Sequence, residues 1–127
     1  MKPGRIPRMN AKSRHESPTP TFRLELKAGI AMGPGKAALL RAIENCGSVS
    51  AAAKELGMSY SRAWLLVKSM NEQFREPLVE LGRGGAHRGG AAVTAAGLAA
   101  VELYETMQAE AEKSIARFTP AFTRLLK

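Results

Sequence analysis

Ser59, Tyr60, Ser61 and Arg62 set three hydroxyls and a guanidinium side by side, and Lys68 and Ser69 follow further along. An arginine fork can bridge guanine O6 and N7, while serine and tyrosine can bond base edges or phosphate oxygens. If the group opens a helix, unpaired N–H groups there add a further phosphate site. Taken alone, these residues read first as the solvated start of a serine-capped helix. The elements around them must decide.

A second cluster is GRGGAHRGG, residues 82–90, with Arg83, His87 and Arg88 among five glycines. It is not a nucleotide cradle. GxxxxGK[ST] is missing, and short apolar runs on both sides predict strand–loop–strand, where a phosphate loop needs strand–loop–helix. Nor is it a slack linker, because patterned sequence resumes at once on either side. A hairpin tip fits, with glycine letting backbone approach a duplex and the cations reaching phosphates or a minor groove.

Enzyme chemistry finds little footing. His15 and His87 are the only histidines, and neither has Cys, Asp or Glu at metal-ligand spacing. GxSxG and HExxH are both missing, and no catalytic residue, metal or cofactor is expected. The single cysteine, Cys46, ends an apolar-periodic segment and reads as structural. One cysteine fits a reducing cytoplasm. No apolar run approaches the ~20 residues of a membrane span, and no apolar segment follows the basic N-terminus as a signal peptide requires.

The elements that would position the polar cluster are legible. SVSAAAKELGMSYSRAWLLVKSMNEQF predicts a short helix capped by Ser48 or Ser50 and ending at Leu56. Gly57 makes the turn, and Ser59 caps a helix over about Tyr60–Phe74. Ala53 falls where the two helices must approach closely. Ala63, Leu66, Val67, Met70 and Phe74 form the inward face of the second helix, and Met58 points into the core. Trp64 is assigned to packing. This is a helix-turn-helix arrangement, in which the start of the second helix meets base edges.

Upstream, Phe22, Leu24 and Leu26 alternate with polar residues as in a half-buried strand. Gly33-Pro34-Gly35 is expected to break the chain before a helix over about Lys36–Asn45, with Leu39, Leu40 and Ile43 inward and Gly47 as its stop. Downstream, LVEL (78–81) and AAVT (91–94) flank the glycine loop as short strands. Thr94 caps a long helix over about Ala95–Arg117, interrupted by Pro120, with further helical turns in 121–126. Leu103, Met107, Ala111, Ile115 and Phe118 form a stripe on it suited to pairing with a second chain.

The chain has 127 residues and a formal net charge of +8, the footprint expected of a nucleic-acid binder and shared by ribosomal, membrane-surface and merely basic proteins. Residues 1–20 hold Lys2, Arg5, Arg8, Lys12 and Arg14 against Glu16, with four prolines, and are expected to be a disordered basic tail. Residues 21–94 are the expected DNA-binding domain. Residues 95–127, where acidic and basic residues balance, are the expected dimerisation helix and C-terminal tail.

Residues 47–74 and 78–104 resemble the N-terminal DNA-binding domain of ModE-type molybdenum-responsive transcriptional regulators. The likeness rests on Ser59, Tyr60, Ala63 and Trp64, on the Met70-Asn71 pair, on the glycine-rich loop, and on Val93, Thr94 and Gly97. A more distant likeness is to the LysR-type helix-turn-helix. The resemblance implies a bacterial, cytoplasmic, homodimeric winged helix joined through its long helices. In that family molybdate binds separate C-terminal domains, so the resemblance carries DNA binding and dimerisation and leaves any effector, or separate effector-binding partner, unspecified.

The expectation is therefore a mainly α fold with a small β-hairpin wing: a winged helix-turn-helix with a long C-terminal dimerisation helix. It would bind double-stranded DNA sequence-specifically as a dimeric regulator. Ser59, Tyr60, Ser61, Arg62 and Lys68 would face the major groove, and Arg83, His87 and Arg88 would lie on the wing. The alternatives are a protein-interaction module, or an oxyanion or small-ligand sensor, on the same scaffold.

Overall fold

A computed structural model describes residues 21–27, 29–82 and 90–127. The expected basic tail, with His15, and the loop cations Arg83, His87 and Arg88 lie outside the described residues. The order is β1 (Leu24–Lys27), β2 (Ile30–Met32), α1 (Pro34–Cys46), α2 (Val49–Leu56), α3 (Tyr60–Gln73), β3 (Val79–Leu81), β4 (Ala91–Val93), α4 (Ala95–Ile115) and α5 (Thr119–Thr123). Two antiparallel hairpins, β1–β2 and β3–β4, sit on this helical body. The described fold is mainly helical, a winged helix-turn-helix followed by a long helix.

α1 is the central core helix, with Leu39, Leu40 and Ile43 all buried. Burying each such side chain stabilises by about 1.5–3 kcal/mol. Ala52 and Ala53 on α2 and Ala63 on α3 are buried as well, and their small size lets the two helices approach. The turns follow from sequence. Gly47 and Gly57 take φ of 78° and 69°, left-handed values that close α1 and α2. Ser48 Oγ accepts the Ala51 N–H at 3.0 Å, and Ser59 Oγ accepts the Arg62 N–H at 3.1 Å.

Three expectations are corrected. Gly33-Pro34-Gly35 does not break the chain before a helix; Gly33 caps α1 and Pro34 is its first residue. Proline suits that position, where its missing N–H would have no helical partner and its φ is already helical. Pro120 likewise does not interrupt the long helix. α4 ends at Ile115, three residues intervene, and Pro120 lies in the first turn of α5. Finally, the alternation of β1 fails at Leu26, which is 78% exposed. The ladder pairs Glu25 with Ala31 and Lys27 with Ile30, so Leu26 is the extra residue of a bulge. The partner strand β2 was not anticipated.

α4 is tied to the body at two points. Arg41 on α1 donates a two-pronged pair of bonds to Glu105, at 2.7 and 3.0 Å, and a third at 2.8 Å to Glu44. Tyr104 donates its hydroxyl to the Phe22 carbonyl, and the two rings lie 5.7 Å apart.

Candidate nucleic-acid interface

α3 is held by one face and presents the other. Ala63, Val67 and Met70 are buried against the core. Ser59, Tyr60, Ser61 and Arg62 are exposed at the first turn, so the four expected residues come together at the helix start. The Ser59 hydroxyl accepts the Arg62 N–H and fixes that turn. The outward face continues through Leu65 and Lys68, one and two turns beyond Ser61. Lys68 is exposed and pairs with Glu72 at 3.1 Å. Such an (i, i+4) surface pair is worth only about 0.3–0.5 kcal/mol, so it holds Lys68 weakly.

Leu65 was missed by sequence reasoning. It is 63% exposed between Ser61 and Lys68. Its position four residues after Ser61 was the available signal, hidden because leucine at helical spacing normally reads as core. Trp64 is half-buried against the core, as its assignment to packing expected.

The β3–β4 hairpin is anchored beside α3 by groups whose structural purpose the sequence did not reveal. Asn71 on α3 accepts the Leu78 and Val79 N–H groups at 2.8 and 3.1 Å and donates to the Val79 carbonyl at 2.9 Å. This amide ends the segment after α3 and starts β3. Thr94 donates its hydroxyl to the Pro77 carbonyl at 2.8 Å and accepts the Gly97 N–H at 3.0 Å. Gly97 permits the closest approach: a Cβ there would lie 2.2 Å from the Leu78 carbonyl oxygen. On the other edge, the Ala91 N–H donates to the Gly47 carbonyl at 2.8 Å. The ladder extends outward through Gly82 N–H to the Gly90 carbonyl, also 2.8 Å, toward the undescribed loop.

Arg41 is occupied by Glu105 and Glu44, whose hydrogen bonds raise its pKa above the ordinary guanidinium value, while the bond from Arg41 holds the Glu105 carboxyl below the ordinary carboxylate range. Its role is structural. Among the described residues no three His, Cys, Asp or Glu side chains gather as a metal site, and no helix is long and apolar enough to cross a membrane. On α4, Leu103 and Ile115 are exposed while Met107 and Ala111 are half-buried; Phe118, beyond the helix end, is exposed with the Arg117 guanidinium 4.7 Å from its ring centre. Cys46 is half-buried at the end of α1.

Comparison with known proteins agrees with this architecture. Residues 36–98, from α1 to the start of α4, match the family profile of the bacterial regulatory helix-turn-helix protein, lysR family. The chain is 40% identical over 92 residues to the molybdenum-pterin-binding protein MopB of Rhodobacter capsulatus, covering 72% of this chain and 34% of that protein. It is 36% identical over 84 residues to the DNA-binding transcriptional dual regulator ModE of Escherichia coli K12, covering 66% and 32%. The transcriptional regulator ModE of Haemophilus influenzae is 33% identical over 85 residues, covering 67% and 33%. The chain thus spans about a third of the length of these relatives.

Proposed function

Residues 36–98 form a regulatory helix-turn-helix domain of the lysR family, similar in sequence to the ModE-type regulators, and from that premise we propose that the protein is a cytoplasmic, dimeric transcriptional regulator that binds double-stranded DNA sequence-specifically. The observation that carries this reading is the outward face of α3. Its first turn exposes Ser59, Tyr60, Ser61 and Arg62 while Ala63, Val67 and Met70 fix it to the core.

In this reading residues 21–94 are the DNA-binding unit. The first turn of α3 enters the major groove, where Arg62 reads a guanine and Leu65 packs on a thymine methyl. Lys68 exchanges Glu72 for a phosphate. The β3–β4 hairpin is the wing, and Arg83, His87 and Arg88 of its loop carry phosphate or minor-groove contacts. Residues 95–127 pair two copies through Leu103, Met107, Ala111, Ile115 and Phe118, and place two α3 helices at half-sites about one helical turn apart. No catalysis is assigned.

The test is the salt dependence of duplex binding, followed by fluorescence anisotropy on the whole chain. A dimer touching about six phosphates loses roughly a thousandfold in affinity between ~50 and ~200 mM salt. Absence of duplex binding at low salt would replace this reading with a protein-interaction module.

A further inference from the structure

α3 carries one large apolar side chain that the core does not use. Leu65 is 63% exposed and is not among the side chains packed against the core, whereas its neighbour Leu66 is. It stands in the middle of the outward row Ser61, Leu65, Lys68 and Glu72, all exposed, while Ala63, Val67 and Met70 are buried behind it. Among the described residues, Tyr60 and Leu65 are the large apolar side chains exposed on the helix-turn-helix; the others lie on the β1–β2 hairpin or from α4 onward. Tyr60 has a hydroxyl that can hydrogen-bond, and Leu65 has no such group. A lone exposed leucine is ordinary on a surface that faces water. Leu65 instead stands at the centre of the face that the proposed function turns toward DNA.

The major groove limits what such a side chain tolerates. Base edges there offer N7, O6, O4 and exocyclic amines, all hydrogen-bonding groups, and one apolar group, the C5-methyl of thymine. A leucine pressed on one of the polar groups strips its water and returns no hydrogen bond, which costs affinity. Against a C5-methyl it buries apolar surface on both sides, which adds affinity. 5-Methylcytosine carries the same methyl at the same ring position.

We propose that Leu65 makes this domain a reader of the pyrimidine C5 substituent, accepting thymine and 5-methylcytosine and discriminating against uracil and cytosine. This rests on the DNA-binding reading above and deepens it, because a packing contact becomes sensitivity to base methylation. Leu65 follows Arg62 by three residues, a rise of about 4.5 Å along the helix, against about 3.4 Å per base pair. The methyl therefore lies one or two base pairs from the guanine that Arg62 reads. Loss of one buried methyl weakens binding about fourfold, and loss from both half-sites of a dimer about 15-fold.

Base-analogue substitution tests it. The probe is a duplex recovered by selection from a random-sequence pool, with each thymine in turn replaced by deoxyuridine, which deletes the methyl alone. At the position that responds, cytosine and 5-methylcytosine are then compared. Fluorescence anisotropy with the whole chain should show about fourfold weaker binding for deoxyuridine at one thymine of each half-site. 5-Methylcytosine should bind more tightly than cytosine there. The deoxyuridine effect should fall below about twofold in Leu65→Ala and persist in Leu65→Met, which keeps an apolar reach; far-UV circular dichroism checks that both fold. A selected motif in which no thymine responds, or a response undiminished in Leu65→Ala, overturns the role of Leu65 and leaves the DNA-binding reading standing. Failure to recover any motif overturns both.

Discussion

At the scale of single residues, two substitutions separate recognition from architecture. Arg62 is exposed on the first turn of α3, and its backbone is fixed by Ser59. If it reads a guanine, Arg62→Ala costs about 1–3 kcal/mol of affinity at one base position and relaxes specificity there. An equal loss on every duplex, measured by competition with single-base variants, would make Arg62 a phosphate contact. Gly97 answers to packing instead. In an exposed helix alanine would gain about 1 kcal/mol over glycine. Here its Cβ would meet the backbone oxygen of Leu78, which also accepts the Thr94 N–H at 3.0 Å, so the clash wins. Gly97→Ala should lower stability by about 1–3 kcal/mol. Gly35→Ala on α1, with nothing within 4 Å, provides the contrast and should not destabilise. Equal melting temperatures for these two variants would contradict the close approach at Gly97.

At the scale of elements, the Arg41–Glu105 contact fixes the long helix to the core and gives it a pH dependence. Hydrogen bonds from Arg41 depress the Glu105 pKa in the folded state. The stabilisation is therefore present above the ordinary carboxylate value of about 4.3 and is lost as pH falls through the lower folded value. Both side chains are more than a third exposed, so solvent screening limits the effect to about 1 kcal/mol or less. Glu105→Gln should lower the melting temperature at pH 7, and the gap from wild type should close as pH falls through the carboxylate range. A gap independent of pH would show that the carboxylate charge contributes nothing. The boundaries of α2 and α3 were legible because local chemistry sets them: Ser48, Gly57 and Ser59 act on backbone groups within a few residues. Arg41–Glu105, Tyr104–Phe22 and the Asn71 clamp were not, since their partners are distant in sequence or lie on backbone whose position depends on the fold. The Met70-Asn71 pair and the Val93, Thr94, Gly97 group were visible as family features, yet only the structure shows that both serve the base of the wing. Leu26 misled because a bulge shifts the register that alternation assumes.

At the scale of the whole molecule, the account joins a basic winged helix-turn-helix to a charge-balanced C-terminal region with an apolar stripe. A net charge of +8 draws the molecule to nucleic acid, but charge alone gives no sequence preference. In the proposed reading, preference comes from the exposed first turn of α3, and a two-fold site comes from pairing of two copies. The most direct measurement is selection of duplexes from a random-sequence pool at ~150 mM salt, where bare phosphate attraction is weakened, followed by sequencing of what is retained. The account predicts a palindromic motif with half-sites one helical turn apart, in which Arg62→Ala relaxes the preference at one base position of each half-site. Retention of duplexes without any shared motif would contradict it.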